Sequence, residues 1–302
     1  MRVPIAFLLA GASLAACSTG GPAGKSSSSA GSTGRTVAGT TTGTASASTS
    51  SGGSGGAYSG QVTFHQAAAA HGGAGHGTYG TPSNSASALF VAGSLPPVAC
   101  PGTELGGCCY QPNASGTIPA GPLPVSAGAI AVLDGAAGIG HFMPGASGYP
   151  TLNSMVTPAL TWNAGDTLTV RNAPGATVDR FTGSIVAPAV FTGLSPALGG
   201  TTSLAVSLGQ DFGLGWAVAP AAASTTQVTA MLTDYSVGSI GCTVDDSAAA
   251  VVFPKTLLAH FTSGDPGTLS ATRTAFGLAA ADNASVVLEV SYTTANLVSF
   301  AP

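Results

Sequence analysis

The sequence predicts an all-β protein: an immunoglobulin-like β-sandwich, one large or two small, that follows a disordered linker. From residue 88 onward, short runs rich in Val, Leu, Thr and Phe alternate with turn residues. Many of these runs have the two-residue period of half-buried strands. Turn signals such as 163–166 (NAGD) and 264–267 (GDPG) recur at the short spacing that is typical of sandwiches and barrels. Long stretches with the period of a helix are absent from the sequence.

Within this pattern, Lys255–His260 is predicted to make at most one helical turn, and the clearest strands are predicted at 167–170, 203–206, 227–232, 249–253 and 286–290. Trp162 and Trp216 lie in strand-like runs, which favours burial in a sandwich core. A second interpretation stays open. If Tyr110, Tyr149 and one Trp were exposed together, they could stack on sugar rings.

The composition excludes several classes of protein. Only 6% of the 302 residues are charged, against about 25% in an average soluble domain. The net charge is −4, so the basic footprint of a nucleic-acid binder is missing. All acidic residues lie beyond residue 60, where only four basic residues accompany them. The folded part is therefore acidic, and neither nucleic acid nor anionic lipid is expected as its partner.

The N-terminal sequence has the pattern of an export signal. Arg2 precedes a short apolar run, residues 3–12, that is too short to span a bilayer comfortably. The run ends in Leu14-Ala15-Ala16-Cys17, which resembles the lipobox of bacterial lipoproteins. The resemblance implies that residues 1–16 are a cleaved signal peptide and that Cys17 carries the lipid anchor to the membrane. Several acyl chains together anchor stably. The alternative is a plain secreted protein with a chance cysteine at this position.

Ser18 follows the lipobox where the usual inner-membrane retention signal would place Asp. The resemblance therefore implies localisation at the outer membrane or cell surface. Residues 17–86 are predicted to be the flexible linker, because Gly, Ser, Thr and Ala dominate and too little apolar surface is present to offset the ordering entropy. Within it, 61–64 (QVTF) could form an isolated strand. The all-β domain is predicted over 87–302, with a sub-boundary near residue 190.

Three histidines fall in or beside this linker: His65, His71 and His76. Histidine-rich tracts can bind metal. The spacings of six and five residues do not match a helical ligand pair, however, and no cysteine or carboxylate lies nearby in sequence. Solvated side chains in a loose segment are therefore the prediction.

Four cysteines remain beside Cys17, and in an exported protein an even number predicts disulfides. A bond between the adjacent Cys108 and Cys109 is disfavoured by disulfide geometry. Two pairings stay open: Cys100 with either Cys108 or Cys109, and the other of these two with Cys242. A metal site is disfavoured because the cysteines lack the spacing of zinc knuckles.

No catalytic or metal-binding motif is evident in the sequence. The sequence contains no His-Glu-x-x-His, Walker or Cys-x-x-Cys pattern, and its Gly-x-Ser-x-Gly match at 52–56 (GGSGG) belongs to a low-complexity run rather than to a strand-turn-helix elbow. His141 and His260 are the only histidines of the predicted domain, and either could serve a Ser-His-Asp site only if the fold supplied its partners. The doublet Asp245-Asp246 could help to bind Ca²⁺, but a solvated turn is favoured. We therefore expect no enzyme activity, cofactor or metal.

Three stretches together are similar to uncharacterised secreted or lipidated β-sandwich proteins of myxobacterial type. They are 163–170 (NAGDTLTV), 181–188 (FTGSIVAP) and 241–246 (GCTVDD), the last leading to 252–258 (VFPKTLL). The resemblance covers roughly residues 157–260. It implies a β-sandwich, but it implies no activity and no site residue.

The sequence as a whole favours a cell-envelope lipoprotein with a non-enzymatic role in adhesion, envelope structure or display. Its expected partner is a glycan or an envelope protein. The alternative is a carbohydrate-binding module anchored at the cell surface. A hydrolase is the third and weakest hypothesis.

Overall fold

The computed structural model describes residues 57–68, 83–95, 100–113, 123–145, 149, 162–173, 177–200, 202–220 and 225–302. All of them lie in one compact unit. These ranges are nearly all β, which confirms the predicted fold class. The immunoglobulin-like detail stays a prediction. No helix in the described ranges has the length and apolar character needed to cross a membrane.

The strands and the one short helix follow each other in this order: β1 (Tyr58–Ala67), β2 (Ser83–Ala92), β3 (Glu104–Leu105), β4 (Cys108–Pro112), β5 (Ile130–Asp134), β6 (Ala137–Phe142), β7 (Thr167–Asn172), β8 (Thr182–Val186), β9 (Leu204–Ser207), β10 (Phe212–Gly215), β11 (Thr225–Asp234), β12 (Gly238–Asp245), β13 (Ala250–Phe253), α1 (Lys255–Leu258), β14 (Pro266–Ala281) and β15 (Ala284–Ala301). A 3₁₀ turn occupies Asp246–Ala248. The strand and helical-turn predictions listed above are confirmed. Trp162 and Trp216 lie just outside strands rather than within them.

One large sheet dominates the molecule. Its strand order is β2-β1-β15-β14-β11-β12-β4-β3, and β9 also pairs with β15. The hairpin β14–β15 forms its middle, with strands of 16 and 18 residues. The first half of β15 runs parallel to β1, and its last residues run parallel to β9. Two smaller sheets, β6-β5-β7-β8 and β10-β13, complete the fold.

The large sheet has one apolar face, which we call the core face. Side chains alternate between the two faces of a strand, so Ala271 and Ala275 of β14 share this face with Val290 and Val298 of β15. It carries two hydrophobic clusters. The first core joins β1, β2 and the adjoining halves of β14 and β15 to the four-stranded sheet. The second core joins β4, β11, β12 and the other halves of the hairpin to β9, β10, β13 and α1.

The four-stranded sheet approaches the large one closely at Gly183 of β8. A Cβ atom at this position would lie 2.5 Å from Ala279 Cβ and 2.9 Å from Leu288 Cδ1. Both distances are too short for real carbon contacts. Only glycine therefore lets β8 pack against the hairpin in this arrangement.

A buried ion pair lies on the core face at the boundary between the two cores. The Arg273 and Asp246 residues are 1% and 5% exposed, and Arg273 Nη2 lies 2.9 Å from Asp246 Oδ1. The guanidinium also donates hydrogen bonds to the backbone carbonyls of Ala189, Val190 and Ala217. Its Nε, Nη1 and Nη2 atoms therefore all have acceptors. A buried charge is tolerated only with such partners. The pair therefore fixes the chain segments that approach it.

Two domain boundaries need correction. The linker prediction is wrong for 58–67 and 83–86, because β1 and β2 belong to the large sheet and supply Val62, Phe64 and Phe90 to the first core. Apart from residues 57 and 68, the remainder of the predicted linker lies outside the described residues, as does the predicted signal peptide. The sub-boundary near residue 190 separates the strands that cover the two cores, but β14 and β15 contribute to both.

Candidate functional site: the polar face of the large sheet

The second face of the large sheet is mainly polar, and we call it the polar face. Its apolar part is a row near the β14–β15 turn that contains Leu278, Val287 and Leu89, of which Leu278 is 66% exposed. The polar face lies opposite the core face, and its side chains are absent from both hydrophobic clusters of the described residues. On β14, Thr272 and Thr274 alternate with the core-facing Ala271 and Arg273. On β11, β12, β15 and β1, the same alternation places hydroxyl, amide and carboxylate groups on this side.

Because the strands are in register, these groups form rows that run across the sheet. One row consists of Thr243, Thr229, Thr272 and Thr293, on β12, β11, β14 and β15. The hydroxyl oxygens of Thr229 and Thr243 are 2.9 Å apart, and those of Thr272 and Thr293 are 2.6 Å apart. The threonines thus hydrogen-bond in cross-strand pairs, an arrangement that stabilises neighbouring strands.

The next row contains Asp245, Gln227, Thr274, Ser291, His65 and Ser85. His65 Nδ1 lies 2.9 Å from Ser291 Oγ, and this hydroxyl also lies 3.2 Å from the carbonyl oxygen of Phe64. Burial lowers the pKa of His65 below its ordinary value of 6.5. The ring is therefore neutral at neutral pH. The expectation that His65 is a solvated linker side chain is wrong; His71 and His76 lie outside the described residues.

The third row contains Phe276, Glu289, Thr63 and Ser87. Glu289 is only 7% exposed. Its carboxylate accepts hydrogen bonds from the Gln61 side chain at 2.6 Å and from the Thr63 hydroxyl at 3.2 Å. Phe276 is the aromatic residue of this row and is half-buried. It is the register partner of Glu289 across the β14–β15 pair.

The charge of the polar face is negative. Glu289 and Asp245 supply carboxylates, whereas the basic residues of the described ranges lie elsewhere: Arg171 on β7, Arg180 before β8, Lys255 on α1 and Arg273 on the core face. Hydroxyl and amide groups can both donate and accept hydrogen bonds. The face is therefore suited to a ligand that presents many hydroxyl groups and no negative charge.

The same residues do not make a hydrolytic triad. A triad needs a carboxylate that orients the histidine, and a serine that the ring can deprotonate. Here Ser291 meets the histidine, but the Glu289 carboxylate is bonded to Gln61 and Thr63. The histidines weighed from the sequence lie apart: His141 is exposed at the end of β6, and His260 stacks on Tyr110 at 4.2 Å.

The aromatic platform weighed from the sequence does not form. Trp162 and Trp216 are buried, as predicted, in the first and the second core respectively. Tyr149 packs against the first core, where its hydroxyl donates to the Gly128 carbonyl, and Tyr110 packs against the second. These four rings therefore cannot meet one sugar chain together.

Of the two disulfide pairings left open, the structure has Cys100–Cys109 and Cys108–Cys242. Cys108 and Cys242 are register partners on β4 and β12, and their bond lies in the second core. Cys109 points to the opposite side of β4. The adjacent cysteines thus anchor bonds on the two faces of one strand. Cys17 lies outside the described residues.

The prediction of a solvated turn at Asp245-Asp246 is wrong for Asp246, which is buried in the ion pair. Trp216 Nε1 also donates to its carbonyl, and the Ala219 N–H donates to its carboxylate. A second buried carboxylate, Asp234, accepts hydrogen bonds from Ser236 and Thr262. Within the described ranges, no three histidine, cysteine, aspartate or glutamate side chains form a metal-ligand group.

Sequence reasoning missed the polar face, although its signal was present. In 268–274 (TLSATRT), Thr and Ser alternate with Leu, Ala and Arg at the period of a strand. The apolar residues of such a run predict a strand and hence the fold. The polar residues between them can be recognised as one continuous surface only when neighbouring strands are aligned. Grouping them needs the register of β1, β15, β14, β11 and β12, which the sequence does not supply.

Comparison with protein-family models, with curated proteins and with solved structures found no match for this chain.

Proposed function

We propose that this protein is an exported, non-enzymatic lipoprotein of the cell envelope, anchored through Cys17. One observation carries the proposal. Four of the five cysteines pair with each other inside the folded unit, so the cysteine left over is the one in the lipobox-like run 14–17. Structural disulfides form in oxidising, extracytoplasmic compartments, which is compatible with export.

The anchor is tested by replacing Cys17 with Ser. We expect the native protein to enter the detergent phase in Triton X-114 partition and to incorporate a labelled fatty acid when made in a bacterial host with lipoprotein-processing enzymes. The Cys17→Ser chain should do neither. A matched control replaces Cys100 and Cys109 with Ala, which removes two cysteines but leaves the anchor intact. Detergent partition of the Cys17→Ser chain would overturn the proposal.

Outer-membrane or surface localisation is a finer part of the same proposal. Since Ser18 follows Cys17, a Ser18→Asp chain should shift to the inner membrane of a Gram-negative host. Membrane fractionation on a density gradient would measure this shift. An unchanged distribution would contradict the outer-membrane proposal while leaving the lipid anchor intact.

The second candidate function is carbohydrate binding, and the polar face favours it. Its hydroxyl rows, the Asp245 carboxylate and the half-buried Phe276 match the chemistry of a polyhydroxylated ligand. This function is compatible with the first, since a lipid-anchored domain can also hold a glycan.

A further inference from the structure

The polar face has the dimensions of an extended binding surface. Its second row crosses the five adjoining strands β12, β11, β14, β15 and β1, and each of the other two rows lies on four strands. Neighbouring strands are about 4.8 Å apart, and residues two positions apart on a strand are about 6.7 Å apart. The second row therefore covers about 19 Å from β12 to β1. That width can accommodate several sugar units of a chain running along a row.

The hydrogen-bonding groups of the rows can serve such a chain. Each threonine hydroxyl has one donor and two acceptor positions. The Thr272–Thr293 contact uses only one hydroxyl hydrogen, so the pair retains a donor and free lone pairs. Asp245 adds a charged acceptor, and hydrogen bonds to charged groups are the stronger ones. Gln227 adds an amide between Asp245 and Thr274 in the same row.

Charge and apolar content discriminate between classes of partner. Two carboxylates without a lysine or arginine on this face repel an acidic polymer such as a polyuronate or a nucleic acid. The centres of protein–protein interfaces are enriched in aromatic side chains, methionine and arginine. Phe276 and Met231 are the polar-face residues of these kinds on β11 and β14, and the exposed Leu278 lies outside the three rows, so the rows differ from such a centre.

Resting on the proposed carbohydrate-binding function, we propose that the polar face binds an uncharged polysaccharide that lies along the rows, across the strands. Thr272, Thr293 and Asp245 hydrogen-bond to its hydroxyl groups. Phe276 lies beneath the flat side of one sugar ring, where aromatic rings pack favourably.

The test is affinity electrophoresis of the full-length Cys17→Ser chain in native gels. The gels contain the neutral polymers laminarin, mannan, xyloglucan or dextran, or the acidic polymers alginate or polygalacturonate. We expect at least one neutral polymer to retard the protein and neither acidic polymer to do so. Retardation by an acidic polymer alone, or by none of the six, would overturn the proposal.

Two variants localise the binding. Thr272→Val with Thr293→Val removes both hydroxyls and keeps β-branched side chains that suit a strand. We expect at least about a tenfold weaker interaction with the retarding polymer, since two hydrogen-bonding groups are lost. Phe276→Ala should weaken it similarly. Both variants must retain the unfolding midpoint of a folded domain to within a few degrees; if either unfolds, Asp245→Asn replaces it.

The matched control is Thr169→Val. Thr169 and Ser184 also form a hydroxyl pair, 2.9 Å apart, on the exposed side of the four-stranded sheet. We expect its retardation to equal that of the parent chain. Equal loss in the control, or unchanged retardation in both polar-face variants, would place binding elsewhere and overturn the proposal. None of these outcomes bears on the Cys17 anchor, which detergent partition tests separately.

Discussion

The two cores share one sheet but are covered and fixed differently. A four-stranded sheet covers the first core, where Phe64 packs edge-on against Trp162 and Phe90 packs against Phe181. The second core is covered by the two-stranded sheet β10–β13, the short strand β9 and the four-residue α1. There a disulfide, a buried ion pair at its boundary and the buried carboxylate of Asp234 accompany the apolar contacts.

The difference has a physical reason. A covering sheet pairs most of its backbone polar groups within its own ladder, and the Asn172 and Asn283 side chains bond to the backbone where this cover is irregular. A cover of short strands and one helical turn has more irregular backbone, whose polar groups need other partners. Arg273 bonds to the carbonyls of Ala189, Val190 and Ala217, which lie in non-repetitive segments. In the second core, a buried charge thus satisfies backbone groups that no strand pairs.

The largest expected effect comes from breaking the ion pair. Arg273→Ala leaves Asp246 buried without its partner, which typically costs about 3–5 kcal/mol. Urea unfolding of the folded unit measures the loss. The exposed Arg180 is the control, and Arg180→Ala should change the free energy of unfolding by less than about 0.5 kcal/mol. An equal, small effect in both variants would show that Arg273 does not fix the boundary.

The two disulfides differ in the length of chain that they close. Cys108–Cys242 spans 134 residues and Cys100–Cys109 spans nine. The chain-entropy model gives about 5 and about 3 kcal/mol respectively, and measured values typically fall to about 2–4 kcal/mol. Double alanine variants should therefore differ, with the larger loss for Cys108 and Cys242. A larger loss on removing Cys100–Cys109 would contradict the assigned role of the second-core bond.

The first core is tested by its packing. Gly183→Val forces a side chain between β8 and the hairpin, and such overpacking typically costs about 1–3 kcal/mol. Gly138→Ala is the control, because a Cβ at Gly138 meets nothing within 4 Å. Thermal unfolding measures both variants. If Gly183→Val unfolds no earlier than the control, the two sheets are not held at the close distance described here.

The smallest expected effects are pH-dependent, and they separate the two regions. The folded-state pKa of His65 lies below its ordinary 6.5 because of burial. The stability linked to His65 is therefore present above pH 6.5 and is lost as pH falls through the lowered pKa. Burial raises the pKa of Asp234, but hydrogen bonds from Thr262 and Ser236 outweigh it and hold this pKa below its ordinary 3.8. Its contribution is present above pH 3.8 and is lost in stronger acid.

Unfolding free energies measured across these two pH ranges should separate the two side chains. His65→Gln should reduce the pH dependence of the unfolding free energy only just below pH 6.5. Asp234→Asn should reduce it only below pH 3.8. If His65→Gln changed the pH dependence of the unfolding free energy below pH 3.8, or Asp234→Asn changed it just below pH 6.5, the two titrations would not belong to these residues.

The sequence predicted the fold class and most strands well because the apolar alternation of runs such as 227–232 and 286–290 is a local signal. It also restricted the disulfides to two pairings, since a bond between adjacent Cys108 and Cys109 is disfavoured by geometry. It failed at β1, whose Val62 and Phe64 are surrounded by linker-like residues and gain their partners only from β15. It failed at Asp246 for the same reason, because Arg273 is 27 residues away in the chain. The polar face depends on five strands at once.

β15 is the last strand along the chain, yet it lies between β1 and β14 and also pairs with β9. Neither core is complete without it. During synthesis, Val62 and Phe64 are made long before Val286 and Leu288, which pack with them in the first core. Pairing between β1 and β15 spans more than two hundred residues, a contact of high loop-closure entropy. The first core therefore cannot close until β15 has been made.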